Sequence, residues 1–120
     1  MYEIRVNSKF SAAHNLRNYN GKCENLHGHT WKVEVCLDGN ELNATGFLCD
    51  FRIVKGAIKE ILEKYDHAYI NEISPFDKTN PTAENLASAI YGELKEQFSN
   101  LKEVVVWESD DARAIFRAEQ

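Results

Sequence analysis

The sequence predicts an α+β fold: one antiparallel four-stranded sheet with two helices on one face. Three observations predict it. Apolar and polar residues alternate near both ends of the 120-residue chain, the period of a half-buried strand. Two central stretches carry apolar residues at spacings of three and four, the period of an amphipathic helix. The resulting order, ββααββ, groups strands and helices in runs, which favours an antiparallel sheet with both helices on one side.

The first strand is read from Tyr2, Ile4, Val6, Phe10 and Ala12, which alternate with polar or small residues. Residues 15–26 are polar, rich in Asn and contain Gly21, and read as a loop. Alternation returns from His29 to Leu37, with Trp31, Val33, Val35 and Leu37 on one face and Thr30, Lys32 and Glu34 on the other. Asp38-Gly39-Asn40 is a turn signal that stops this second strand. Asp50 can cap a helix running to about Tyr65, with Phe51, Val54, Ile58, Ile61 and Leu62 on its apolar stripe. A loop with Pro75 and Pro81 follows. Thr82 can cap a second helix to about Phe98, striped by Leu86, Ile90 and Leu94. Val104–Trp107 and Ala114–Phe116 are the last two strands, joined through Ser109-Asp110-Asp111. Four strands leave two sheet edges, and pairing between copies is one way to satisfy them.

No repeat, linker or low-complexity segment divides the chain, so residues 1–120 are expected to form a single domain. A formal net charge of -5 disfavours a nucleic-acid surface, which needs clustered Lys and Arg. No apolar run is long enough to cross a bilayer, and the N-terminus has no signal-peptide pattern, so a cytoplasmic protein is expected. Three cysteines, Cys23, Cys36 and Cys49, with no CxxC pair, point to reduced thiols rather than a disulfide framework or a zinc ribbon.

The densest chemistry lies in Cys23-Glu24-Asn25-Leu26-His27-Gly28-His29. In an extended chain, side chains at i and i+2 share a face, so His27 and His29 can converge on one ion. A catalytic zinc needs three protein ligands and an open position. His14 ends the first strand, and antiparallel pairing through the intervening loop would return it beside the pair. His67, after the first helix, is left for another task. A His-x-His pair on a strand also occurs without metal, and the third histidine is what strengthens the metal reading.

Several segments match a known family together. Phe10-Ser11-Ala12-Ala13-His14 and Cys23-x-x-x-His27-Gly28-His29 are followed by Gly46-Phe47-Leu48-Cys49-Asp50-Phe51 and Tyr65-Asp66-His67-Ala68-Tyr69-Ile70-Asn71. Pro81-Thr82-Ala83-Glu84-Asn85-Leu86-Ala87 and Val106-Trp107-Glu108 complete the set. In this combination the chain resembles the 6-pyruvoyltetrahydropterin synthase superfamily. Three residues separate Cys23 from His27, which is similar to the bacterial 6-carboxy-5,6,7,8-tetrahydropterin synthase branch of queuosine biosynthesis; animal 6-pyruvoyl enzymes have a longer gap.

The resemblance implies the tunnelling fold, whose sheets join across subunits into a barrel, in a homo-oligomer expected to be a hexamer. It implies a pterin substrate, 7,8-dihydroneopterin triphosphate, converted to 6-carboxytetrahydropterin, acetaldehyde and triphosphate. His14, His27 and His29 would hold Zn2+, a Lewis acid for the hydroxyls of the substrate side chain. Cys23 would accept a proton, and Asp66 with His67 would relay protons, the pair and the cysteine coming from neighbouring subunits. Glu108 would anchor the pterin, whose 2-amino and ring N–H groups suit a carboxylate. Thr82 and Glu84 are further pterin contacts, although Thr82 is equally an N-cap and Glu84 a charge favoured by the helix dipole. Cys36 and Cys49 are expected to be packing residues. Candidate triphosphate cations are Lys9, Arg17, Lys22 and Arg113, while Asp110 and Asp111 place negative charge just beyond Glu108. The rival activities are 6-pyruvoyltetrahydropterin synthesis or an aldolase-like cleavage on the same fold. More distant rivals are a hydrolase using zinc-bound hydroxide, and a non-catalytic pterin- or metal-binding module.

Overall fold

The computed structural model of the chain describes residues 1–20 and 25–119. Strand β1 (Tyr2–His14) pairs antiparallel with β2 (His27–Gly39) without interruption, from Tyr2 opposite Gly39 to His14 opposite His27. Helix α1 (Phe51–Leu62) and helix α2 (Ala83–Lys95) follow, separated by a short 3-10 turn, Ile70–Glu72. Strands β3 (Leu101–Ser109) and β4 (Ala112–Phe116) complete one sheet in the order β1-β2-β3-β4. The α+β reading holds: the sheet is antiparallel throughout.

Alternation decides which side chains face the helices. Val6 and Phe10 from β1, Trp31, Val33, Val35 and Leu37 from β2, and Val104 and Val106 from β3 all join one core. They pack with Val54, Ile58 and Ile61 of α1 and Leu86, Ile90 and Leu94 of α2. Helix α1 lies over β1, and α2 over β3 and β4. Both helices start where a side-chain oxygen takes an otherwise unpaired N–H. Asp50 accepts from the Arg52 N–H at 2.9 Å, and Thr82 from the Asn85 N–H at 3.1 Å. Asp50→Ala is expected to cost about 1 kcal/mol of stability, read by chemical denaturation.

The elements end elsewhere than the apolar spacing suggests. Helix α1 stops at Leu62, yet Tyr65 is still fully buried, because the next turn (Tyr65 N–H to Leu62 C=O, 3.0 Å) keeps it inward. Phe98 is likewise buried beyond the end of α2. Periodicity reports burial, and burial outlasts the helical hydrogen bonds. Strand β3 starts earlier than expected, at Leu101, since a charged residue, Glu103, is buried within it. Arg5 and Arg117 donate to the two Glu103 carboxylate oxygens at 3.1 and 3.0 Å, which makes that burial tolerable.

This network occupies the face of the sheet away from the helices. Cys36 lies there too, fully buried, and its burial pushes the thiol pKa up to about 12. Burial also raises the pKa of Cys49. Both behave as packing residues. Cys36 is expected to escape thiol reagents in the native protein and to react once unfolded, measured by mass spectrometry of the labelled peptide.

Candidate active site

The uninterrupted β1–β2 ladder sets His14 opposite His27, and His29 opposite Ala12. His14 shares a face with Phe10 and Ala12, and His27 and His29 share one with Trp31, so all three imidazoles lie on the helix side of the sheet. One nitrogen from each lies within 4.8 Å of the others. Ring centroids are 4.6 Å apart for His14 and His27, 5.1 Å for His14 and His29, and 4.8 Å for His27 and His29.

Each ring orientation has a cause. His14 is 2 % exposed, and its Nδ1 lies 2.8 Å from the Pro81 carbonyl. His27 Nδ1 lies 2.9 Å from the Asn25 carbonyl. A carbonyl can only accept, so both Nδ1 atoms carry the proton and both Nε2 atoms carry the lone pair. Trp31, fully buried, forms the floor: it meets His14 and His29 edge-on, at 4.8 and 5.4 Å between centroids. It stacks on Phe10 and donates to the Ala12 carbonyl at 3.4 Å. The fit to a metal ion rests on the nitrogens left over. Nε2 of His14 and Nε2 of His29 are buried without a hydrogen-bond partner. Such an orphaned pair is costly unless something binds it. Burial holds the His14 pKa below its ordinary value and so favours the neutral imidazole that a metal requires.

Glu108, near the end of β3, aims its carboxylate at this centre, 3.6 Å from His29 Nε2 and 4.0 Å from His14 Nε2. A cavity of about 260 Å³ opens here, lined among the described residues by His14, Leu16, His27, Thr82, Ala83, Glu84 and Glu108. Two of the three imidazoles, an acidic side chain and the N-terminus of α2 thus line one space.

The 6-pyruvoyl tetrahydropterin synthase family model matches residues 3–119. The chain belongs to this family. A relative from Bacillus subtilis named 6-carboxy-5,6,7,8-tetrahydropterin synthase is 30% identical, covering 97% of this chain and 85% of its own. An Archaeoglobus fulgidus protein provisionally given the same name is 36% identical, covering 95% and 94%. The solved 6-pyruvoyl tetrahydropterin synthase of Caenorhabditis elegans superimposes with a TM-score of 0.84 over 98% of this chain and 96% of that one, at 24% identity. Its agreement is in the fold, the tunnelling fold of 6-pyruvoyl tetrahydropterin synthases. The family members act on pterins.

Of the other expected site residues, Thr82 and Glu84 line the cavity with His14 and His27, while Asp66 and His67 lie away from it. Cys23 and Lys22 fall outside the described residues. Asp66 and His67 follow α1 on the outer edge of β1. His67 N–H donates to the Ser11 carbonyl at 2.6 Å, and Ala13 N–H to the Ala68 carbonyl at 3.0 Å. The Asp66 carboxylate accepts from the Ser11 N–H at 3.0 Å and lies 3.1 Å from His67 Nδ1. The sequence leaves the Asp66 partner open because adjacent side chains do not ordinarily meet. Here they do because His67 adopts a left-handed backbone with φ 58°, which turns its ring back over Asp66. The Ser11 N–H above all, with His67, holds the Asp66 pKa below its usual value. The His67 side chain is 83% exposed and does not line the cavity.

The triphosphate candidates separate. Arg113 lies over the Trp107 ring, 4.7 Å from its centroid, and Lys32, which is not among the candidates, lies over the same ring at 4.2 Å. Trp107 and Arg113 pair across β3 and β4 on the face away from the helices, and Lys9 pairs with Lys32 on that same face. Arg17 is taken up by backbone carbonyls. Asp110 and Asp111 are exposed in the β3–β4 turn. Sequence reasoning misses Trp31, although its place two residues after His29 puts it on the histidine face. It also misses the Pro81 carbonyl, for which no side-chain signal exists.

Proposed function

We propose that the chain is a zinc-dependent 6-carboxy-5,6,7,8-tetrahydropterin synthase. It would convert 7,8-dihydroneopterin triphosphate to 6-carboxytetrahydropterin, acetaldehyde and triphosphate, a carbon–carbon lyase reaction of queuosine biosynthesis in the cytoplasm. The observation that carries the reading is the convergence of His14, His27 and His29 on one another, with two orphaned Nε2 atoms, beside a cavity that His14, His27 and Glu108 line. The names of the Bacillus and Archaeoglobus relatives support the product.

Bound by the three imidazoles, a zinc ion would supply Lewis acidity to hydroxyl groups of the substrate side chain. The residues of the chain do the rest. Glu108 accepts hydrogen bonds from the 2-amino and ring N–H groups of the pterin. Thr82 and Glu84 shape the adjoining wall, Thr82 while also capping α2. Cys23 takes a proton from carbon, and His67, held at Nδ1 by Asp66, carries protons at Nε2.

A cavity of about 260 Å³ falls below the ~300–1,000 Å³ usual for ligand pockets. Together with the exposed His67 on the β1 edge, this favours a site completed by a second copy of the single 1–120 domain. Joining the β1 and β4 edges of successive copies would close the sheets into the barrel of a homo-oligomer, read as a hexamer. Among the described residues no helix is long and apolar enough to cross a membrane.

The test is to incubate the zinc-loaded protein with dihydroneopterin triphosphate and follow acetaldehyde and pterin products. Acetaldehyde and the 6-carboxy product together are expected. A 6-pyruvoyl product without acetaldehyde would move the chain to the other branch.

A further inference from the structure

Beyond His14 the chain leaves the sheet, and two side chains recreate the pairing it has lost. Asn71, 6% exposed, accepts from the Asn15 N–H at 3.0 Å and donates to the Asn15 carbonyl at 2.9 Å. Asn80 repeats the pattern two residues on. It accepts from the Arg17 N–H at 2.8 Å and donates to the Arg17 carbonyl at 3.1 Å. Each carboxamide therefore satisfies both backbone groups of one residue, as a neighbouring strand would. The Arg17 guanidinium reaches back across the same loop and donates to the carbonyls of Asn71 at 3.0 Å, Phe76 at 2.5 Å and Thr79 at 3.2 Å.

The far end of this lattice is Pro81. Its neighbour Asn80 is fixed a second time through its own carbonyl, which accepts from the Thr82 N–H at 2.9 Å and from Asn85 Nδ2 at 2.8 Å. Residue 81 thus sits between a clamped Asn80 and the capped start of α2. Its carbonyl is the acceptor for His14 Nδ1.

We propose that Arg17 and Asn80 are positioning residues for the metal centre, holding the Pro81 carbonyl so that His14 presents Nε2 to a divalent cation. The inference rests on the histidine reading above and extends it to residues that touch neither metal nor substrate. Physically, a displaced carbonyl frees the buried imidazole to rotate or to change tautomer, and either removes the Nε2 lone pair from the centre. It also gives Arg17 a task other than binding triphosphate: its five N–H donors suit several carbonyls at once, which one ammonium cannot match.

The experiment uses the full-length protein, stripped with a chelator and titrated with zinc against a competing dye, and with Co2+ to record its ligand-field spectrum. Arg17→Lys keeps the charge and loses the fork. Asn80→Asp is almost isosteric, so it keeps the fold while losing the donor to the Arg17 carbonyl. Both are expected to weaken zinc binding about 10–100-fold and to alter the cobalt spectrum. Ile58→Val, on the buried face of α1, lowers the thermal midpoint of the apoprotein but is expected to leave both readouts unchanged. Folded Arg17→Lys and Asn80→Asp proteins with parental zinc affinity and cobalt spectrum would overturn the positioning role and leave the metal centre standing. A parent protein that binds neither ion would overturn the centre, and the positioning role with it.

Discussion

His27→Ala is expected to leave a folded protein that no longer retains zinc. His27 is partly exposed, as His29 is, but its ring is held by a loop carbonyl, that of Asn25, rather than by the core. Its loss removes one of three ligands, and two imidazoles do not make a closed protein set for a tetrahedral ion. Metal analysis after dialysis should find zinc reduced to background, with turnover lost alongside. Unchanged zinc content would sink the proposed ligand set. His14→Ala is a poorer probe because it opens a cavity at a buried position and strands the Pro81 carbonyl. Acid should mimic the substitution, since protons and metal compete for the same lone pairs. The sign is fixed by burial, which lowers the folded-state pKa of His14. The folded apoprotein therefore binds fewer protons than the unfolded chain, and the stability linked to neutral His14 is present above the ordinary histidine pKa of about 6.5 and lost as pH falls below it.

His67→Ala should behave in the opposite way, keeping its metal and losing turnover. Removal of a proton carrier of this kind costs roughly 10²–10⁴-fold in rate. The ring is outside the cavity and 83% exposed, so no loss of zinc or of fold is expected. If the site is shared between copies, mixing His67→Ala with His27→Ala and letting the subunits exchange should restore part of the activity. Each mixed interface can then pair an intact metal centre from one chain with an intact His67 from another. Two inactive variants that stay inactive after demonstrated exchange would place His67 in a structural role.

The parts of the protein that could be read from its sequence are those in which side-chain periodicity and function coincide. His27 and His29 sit on a strand whose apolar residues, Trp31 through Leu37, already declare which face is buried. His14 follows from the same logic at the end of β1. Periodicity fails where a polar residue is buried, as at Glu103, because its partners Arg5 and Arg117 are distant in sequence. It also fails where the backbone does the work. The Pro81 carbonyl is identical in chemistry to every other carbonyl, and only the fold selects it. Asp66 and His67 show a third kind of gap. Their contact depends on one left-handed residue, a conformation that histidine adopts rarely and that its neighbours do not announce.

The register of β1 against β2 also bears on how this protein can change over evolutionary time. His14 and His27 are direct cross-strand partners, and the ladder behind them holds their spacing whatever lies between. Insertions between Arg17 and Asn25 would lengthen the connection without breaking the clamps on residues 15 and 17 or the Asn25 carbonyl that holds His27, and loop closure grows costly only slowly with length. A single residue inserted within β2 would instead turn His27 and His29 to the opposite side of the sheet. Length variation is therefore expected to accumulate between Arg17 and Asn25, so that Cys23, the proposed proton acceptor, can be repositioned independently of the three histidines.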